Sequence, residues 1–326
     1  MESPPPSTVR IVAAMACAVL LSAAGVPRAE AETIAVFTKN QNSPIFAALR
    51  AGAVIAAQNL GVQVINYVPS TADSVAEQNK LVDDAIKDKP DGIVFVPVNF
   101  TQAGAAVAKI NAANIPLINV NERLSGGTVA GYVGTDDAAL AAATGRYLIK
   151  AMGGKGNVVI LDGPDNNLTA RGRAQGFRDT VKEFPDVKLL GGKSANYARA
   201  MGKQVTGEFL RSFAQLDGIL AANDPMAIGA VDALKAAGRQ SLVVGINASR
   251  EVMDLIKAGD VIGSGDYDTF IQGCIGVEMA VRSIRKESIP GEVMLKPVVI
   301  DKTNFAPVDQ SYDKRECPTL ESVAGH

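Results

Sequence analysis

The sequence predicts two similar α/β lobes built on parallel sheets, and three observations lead there. Short apolar runs of strand length alternate with longer runs of helical spacing, the β-α-β-α order of a parallel sheet covered by helices. The strands read as continuous apolar stretches, as strands buried on both faces do. The pattern also recurs within the chain. DGIVFVPVNFTQAGAAVAKINAANIPLINVN (91–121) and DGILAANDPMAIGAVDALKAAGRQSLVVGIN (217–247) both open on Asp-Gly-Ile, run strand, loop, Ala-rich helix and strand, and end in Asn at the same spacing.

The elements follow in order. TIAVFT (33–38) is a strand, and 44–59 has helical spacing. VQVINYV (62–68) is a strand, 73–87 a helix, GIVFVPV (92–98) a strand, 102–113 a helix and PLINV (116–120) a strand. The second series runs helix 137–152, strand NVVILDG (157–163), helix 169–184, strand 187–190, helix 199–214, strand GILAA (218–222), helix 225–237 and strand LVVGI (242–246). GGKGN (153–157) reads as a loop and GSGD (263–266) as a turn. In open parallel sheets ligands sit beyond the carboxyl ends of the strands. Two such lobes facing each other direct Asn121, Glu122, Asn223 and Asn247, all at strand ends, into one cleft.

Composition narrows the chemistry. With 32 basic and 34 acidic residues among 326, the formal charge is −2, so no basic footprint for nucleic acid or a membrane surface is present. The one histidine is His326, which leaves no candidate for a histidine-based nucleophile pair or zinc site. No P-loop, no G-x-G-x-x-G after the first strand and no G-x-S-x-G elbow occurs. The reading is therefore a non-enzyme with no cofactor and no metal. Arg10, the apolar run 11–25 and the Ala29-x-Ala31 site form a secretory signal over residues 1–31, which implies export to the periplasm. Cys17 as a lipid-attachment site is the weaker alternative. Cys274 and Cys317 remain after cleavage, and export permits but does not require a disulfide between them.

Seven stretches, in order, resemble the bacterial periplasmic sugar-binding proteins of ribose- and allose-binding type, which serve ABC importers. They are FTKNQNSPIF (37–46), INVNER (118–123), TARGRAQGF (169–177), ANYARAMG (195–202), AANDPMAIGA (221–230), LVVGINAS (242–249) and VIGSGDYD (261–268). The resemblance covers about residues 33–300. It implies the type I periplasmic binding protein fold: two Rossmann-like lobes joined by a three-stranded hinge. By that alignment the first lobe is 32–135 plus 268–295, the second is 136–267 plus 296–312, and 313–326 is a tail. It also implies a monomer that captures a small sugar or polyol and delivers it to an ABC permease complex. A sensor presenting ligand to a chemoreceptor or sensor kinase is the alternative; an enzyme on small sugars with Glu122 or Asp266 as base is a weaker one. A repressor of this fold would carry a helix-turn-helix where the leader stands.

The resemblance places Arg171 at the family's ligand arginine, Tyr197 at an aromatic, Asn223 at a ligand asparagine, and Asn247 where Asp is usual. Tyr267 falls near the last ligand glutamine, with Asp266 beside it as the competing candidate. Lys39, Ser43 and Phe46 fall on the first ligand loop, and Asn121 and Glu122 on the second. These types suit a polyhydroxylated ligand: Lys39 and Arg171 donate, Glu122 accepts, the three asparagines do both, and Phe46 and Tyr197 offer apolar faces. Departures from the family pattern, Ser43 for Asn, Ile45 for an aromatic, and Asn121 and Asn247 for Asp, point to a ligand other than ribose or allose pyranose: a different pentose, a short polyol or a branched sugar.

Overall fold

The computed structural model describes Met1 and residues 31–165 and 167–324; the expected leader, its two end residues apart, lies outside the described residues together with Cys17. The chain begins with β1 (Thr33–Phe37), α1 (Pro44–Leu60), β2 (Gln63–Tyr67), α2 (Val75–Asp88), β3 (Gly92–Phe95), α3 (Gly104–Ala112), β4 (Leu117–Val120) and β5 (Gly131–Thr135). It crosses at residue 136 into α4 (Asp137–Ala151), β6 (Gly156–Asp162), α5 (Leu168–Lys182), β7 (Val187–Ser194), α6 (Arg199–Ser212), β8 (Gly218–Ala221), α7 (Asp224–Ala237), β9 (Leu242–Ile246), α8 (Arg250–Ala258) and β10 (Gly263–Asp266). It returns through α9 (Thr269–Ile284) and β11 (Glu292–Leu295), crosses again to β12 (Val298–Ile300), and closes with a 3-10 turn (Tyr312–Lys314) and α10 (Leu320–Ala324).

The result is two six-stranded sheets, ordered β11-β5-β4-β3-β1-β2 and β12-β10-β9-β8-β6-β7. All described pairings are parallel except β10 with β12. In β1 the apolar residues divide by the period of two that a pleat imposes. Ile34 and Val36 join the core with Leu49 of α1 and Ile275 of α9, while Ala35 and Phe37 join Val82 of α2 and Val107 and Ile110 of α3 on the other face. The second lobe has one core that includes Ile160, Phe177, Val205, Ile219, Met226 and Val244.

The internal repeat is real in three dimensions: it is β3-α3-β4 in one lobe and β8-α7-β9 in the other. Its two terminal asparagines are backbone equivalents. Asn121 (φ 70°) donates its N–H to the Val133 carbonyl of β5 at 2.9 Å, and Asn247 (φ 121°) donates to the Gly265 carbonyl of β10 at 2.8 Å. Asparagine is among the residues that best tolerate such positive φ.

GSGD is not the expected turn but the buried strand β10, lying between β9 and β12. Its glycines reflect close packing. A Cβ on Gly265 would stand 2.5 Å from Thr144 Oγ1, so α4 can approach only a strand without side chains there. Beyond the three crossovers the resemblance implies, residues 301–311 carry the chain a fourth time between lobes. Tyr312 stacks on Phe270 of α9 with ring centroids 6.1 Å apart, Leu320 is buried, and Cys317 is disulfide-bonded to Cys274 of α9, 43 positions away. The tail thus belongs physically to the first lobe.

Candidate functional site

A cleft of about 490 Å³ lies between the carboxyl ends of the two sheets and is lined from both lobes. A wider depression of about 1420 Å³ lies at the opposite ends of the second sheet, around Gly156, Asp217 and Leu242, and only second-lobe residues line it. Four helices, α1, α5, α7 and α8, start at the cleft, with Ser43, Asn167, Asn223 and Ser249 at their N-caps. Helix N-termini direct N–H groups and partial positive charge at whatever occupies such a space, which favours ligand oxygens.

In the first lobe, Lys39 follows β1 and bonds to Glu122, which follows β4; the two side chains are 12% and 6% exposed. Asn119 shapes this wall. Its buried amide donates to the Phe95 carbonyl at 3.2 Å and the Glu122 carbonyl at 3.0 Å, and its oxygen accepts the Leu124 N–H at 3.0 Å. That fixes residues 121–124 as a tight loop. Asn121 Nδ2 donates to Gln272 Oε1 at 3.2 Å, and Tyr132 OH donates to the Asn121 carbonyl at 2.7 Å. Gln272, fully buried in α9, donates onward to the Tyr267 carbonyl at 2.7 Å. Ser43 and Phe46 line the cleft beside Pro44 and Ile45. Arg123 leaves the cleft; it pairs with Glu292 at 2.6 Å and lies over the Tyr132 ring.

In the second lobe the arginine of the site is Arg173, and the expectation of Arg171 is corrected. Arg171 is exposed and does not line the cleft, whereas Arg173 is 3% exposed and does. Two helical positions are about 200° apart around the axis, so the two arginines face opposite ways. Arg173 lies on the inward stripe of α5 with Ala170 and Phe177. A cation on an apolar stripe was the signal available in the sequence. Its Nε donates to Asp137 Oδ1 at 2.8 Å, and its Nη1 donates to the Ala222 carbonyl at 2.8 Å and to Asn247 Oδ1 at 3.1 Å. The guanidinium sits 4.8 Å from the centre of the Tyr267 ring. Burial pushes the Asp137 carboxyl up, against the pull of Arg173. For Arg173, burial opposes the charge, but Asp137 and its other neighbours hold it above the ordinary guanidinium value. A guanidinium does not give up its proton in a protein, so Arg173 stays charged, and that charge draws the Asp137 carboxyl toward its ionised form.

Asn223 uses both ends of its amide. The oxygen caps α7 by accepting the Met226 N–H at 3.0 Å, and the nitrogen donates to the Tyr197 carbonyl at 3.0 Å. That holds Tyr197 at φ 59°, a backbone state rare for a tyrosine, with its ring over Gly163, where a Cβ would come within 2.5 Å of the ring. Burial pushes the Tyr197 and Tyr267 phenols up, so both remain protonated donors at neutral pH. Behind Asn247, buried Asp224 accepts from Ser264 Oγ at 2.6 Å and from the Ser249 N–H at 2.7 Å, and burial pushes its carboxyl up to about 6.

Of the paired candidates at the end of β10, Tyr267 lines the cleft and Asp266 does not. Consecutive strand residues point to opposite faces. Asp266 lies in an adjoining cavity of about 40 Å³ with Asp268 and Arg315, and accepts the Asp268 N–H at 2.7 Å. The structure therefore brings Lys39, Ser43, Phe46, Asn121, Glu122, Tyr197, Asn223, Asn247 and Tyr267 together and leaves out Arg171 and Asp266. Sequence reading missed Arg173, Asp137, Asn119 and Gln272.

Comparison with known proteins agrees with this geometry. Residues 34–288 match the family model described as periplasmic binding protein domain. The chain is 32% identical over 237 residues to a xylitol-binding protein of Mycolicibacterium smegmatis, covering 72% of this chain and 68% of that one. It is 30% identical over 303 residues to a D-apiose import binding protein of Paraburkholderia graminis, covering 92% and 96%. Among solved structures, an ABC transporter periplasmic solute-binding protein from Actinobacillus succinogenes with bound D-allose is 31% identical, superposes with a TM-score of 0.80, and covers 84% of this chain and 99% of that one. The chain is a member of the periplasmic binding protein domain family.

Proposed function

We propose that this protein is the periplasmic substrate-binding component of an ABC importer, and that it captures a small sugar or polyol between its lobes. The observation that carries the reading is the cleft itself. Its volume of about 490 Å³ falls in the range of small-molecule sites, and both walls present hydrogen-bonding side chains already fixed by neighbours. Donors come from Arg173 and Asn247, acceptors from Glu122 and Asn121, and apolar faces from Phe46, Tyr197 and Tyr267. The relatives' ligands, xylitol, D-apiose and D-allose, belong to this chemistry. A ligand that touches both walls binds the closed arrangement better than an open one, so it drives closure by differential affinity. An importer permease then reads the closed form.

The test is a thermal-shift screen of the purified protein with xylitol, D-apiose, D-allose, D-ribose and tetritols, followed by calorimetry. A ligand at a hundred times its Kd stabilises the folded state by about 2.7 kcal/mol. A melting temperature unmoved by every neutral sugar and polyol would refute the reading.

A further inference from the structure

Each cation inside the cleft has a carboxylate of its own lobe beside it. In the first lobe Lys39 bonds to Glu122; in the second, Arg173 Nε bonds to Asp137 at 2.8 Å. All four side chains are largely closed to water, at 12%, 6%, 3% and 16% exposure in that order. The other charged lining residues, Asp73 and Glu251, are exposed at the rim. Among the side chains, the deep part of the cleft thus has one carboxylate beside each cation.

Asp137 is not itself a lining residue. It stands at the first position of α4, directly after the crossover from β5, and reaches Arg173 from behind. Arg173 Nη2 has no hydrogen-bond partner among the described residues, while Nε and Nη1 are engaged. The guanidinium therefore offers a ligand free N–H groups but no uncompensated charge. We propose that Asp137, with Glu122 as its counterpart in the first lobe, sets the selectivity of the cleft: it positions Arg173 and cancels its charge, so that uncharged polyols are admitted and their carboxylate analogues rejected. This rests on the reading of the cleft as a sugar or polyol site.

The physical ground is the cost of removing a carboxylate from water, which is recovered only beside an unengaged cation with good geometry. Next to Arg173 an incoming carboxylate meets the field of Asp137 as well, and the two anions repel. A hydroxyl needs only the free N–H. Replacing Asp137 by Asn keeps the shape and an acceptor for Nε, but leaves Arg173 with a net charge that an anionic ligand can use.

The experiment measures calorimetric affinities of the full mature protein for two matched pairs, xylitol against D-xylonate and D-ribose against D-ribonate. The wild type is expected to prefer the neutral member by roughly a hundredfold or more. Asp137→Asn is expected to gain affinity for the aldonate by about tenfold or more and to narrow the ratio by at least that factor, while Asp137→Glu keeps the wild-type ratio. Glu122→Gln provides the same readout from the other lobe and keeps the test decisive where Asp137→Asn fails to fold. A merely structural role for Asp137 weakens both members of a pair equally and leaves the ratio unmoved, which overturns the proposal, as does a wild type that prefers aldonates. A wild type that binds neither xylitol nor D-ribose leaves the sugar reading to the wider thermal-shift screen, which alone refutes it. The aldonates then decide the charge assignment: variants that acquire aldonate binding support it, and variants that do not overturn it.

Discussion

Replacing Arg173 and Arg171 separately by Ala separates the geometry of the cleft from the sequence resemblance. Arg173 is 3% exposed and makes three hydrogen bonds from a charged donor. Its removal leaves the Asp137 carboxylate, the fully buried Ala222 carbonyl and Asn247 Oδ1 without their donor. Breaking a buried ion pair from one side costs about 3–5 kcal/mol, which is the stability loss expected for Arg173→Ala in urea denaturation of the unliganded protein. Binding weakens as well, because the free Nη2 edge disappears and Asn247 loses its anchor. A hydrogen bond from a charged group contributes about 1.5–3 kcal/mol, so Kd rises by roughly tenfold to a hundredfold. Arg173→Lys keeps the charge but cannot serve three acceptors from one point, and should fall between wild type and Ala in both measurements. Arg171 is exposed on the opposite side of α5, and Arg171→Ala should change stability by no more than about 0.5 kcal/mol and leave Kd unchanged. Titration calorimetry at a temperature where every variant is folded decides the matter. An Arg171→Ala protein as impaired as Arg173→Ala would refute the placement of α5 over the cleft.

Three further outcomes are expected. Cys317→Ser removes a cross-link between residues 43 positions apart, and the chain-entropy relation gives a loss of about 4 kcal/mol; reductant should lower the melting temperature of the wild type to that of the variant, and an unchanged melt in reductant would show that the bond contributes nothing. Asp224, pushed up to about 6 from an ordinary carboxylate value, favours the folded state fully when protonated below about pH 4 and loses that contribution as pH rises through 6. The amount is on the order of 3 kcal/mol. Asp137, Asp266 and Asp268 are shifted in the same direction, so the check is the stability difference between wild type and Asp224→Asn, which should fall as pH rises from about 4 to about 6 and be flat on either side. Gln272→Leu removes the Asn121 amide's partner and leaves the Tyr267 carbonyl only the 3.3 Å bond from Thr135 Oγ1, and should cost about 1–3 kcal/mol in all in urea denaturation while loosening the Asn121 wall enough to weaken binding.

The parallel-lobe architecture was legible because β1, β3, β4, β8 and β9 are buried on both faces, and such strands are apolar almost throughout, Asn119 of β4 being the exception that its hydrogen bonds permit. The hinge region was not. β10 is glycine and serine because α4 and β12 leave its side chains no room, and glycine carries no periodicity to read. The Arg171 assignment failed by two positions, less than one helical turn, since motif alignment gives residue type and register but not the face of a helix. The stripe of Ala170, Arg173, Phe177 and Val181 held the answer. Asn in place of Asp at 121 and 247 is also weaker evidence of an unusual sugar than the sequence alone suggests. Both positions have positive φ, which by itself favours Asn, and both amides are partly engaged, one by Gln272 and the other by Arg173. What they leave for a ligand is one acceptor, Asn121 Oδ1, and one donor, Asn247 Nδ2.

That division bears on how closure works. Glu122 is held by Lys39, Arg173 by Asp137, Ala222 and Asn247, and the Tyr197 loop by Asn223, so each wall is built before any ligand arrives. Little side-chain ordering remains to oppose binding, and the ligand's interaction energy is available for the relative motion of the lobes. That motion is confined by the connections. Besides the crossovers after β5, β10 and β11, the strap from residue 301 is gripped on the second lobe through Asp309, bonded to Lys257 at 2.6 Å. On the first lobe it is gripped through Arg315, bonded to Asp268 at 3.2 Å, and through the disulfide at Cys317. Asp268 is both the N-cap of α9 and a crossover residue, with φ 37°. The strap therefore fastens on a crossover residue, in a place that adjoins the cleft. A ligand that bridges Asn121 and Glu122 to Asn247 and Arg173 therefore lies against that crossover, because Tyr267 lines the cleft and Asn247 lines the cavity that holds Asp268 and Arg315.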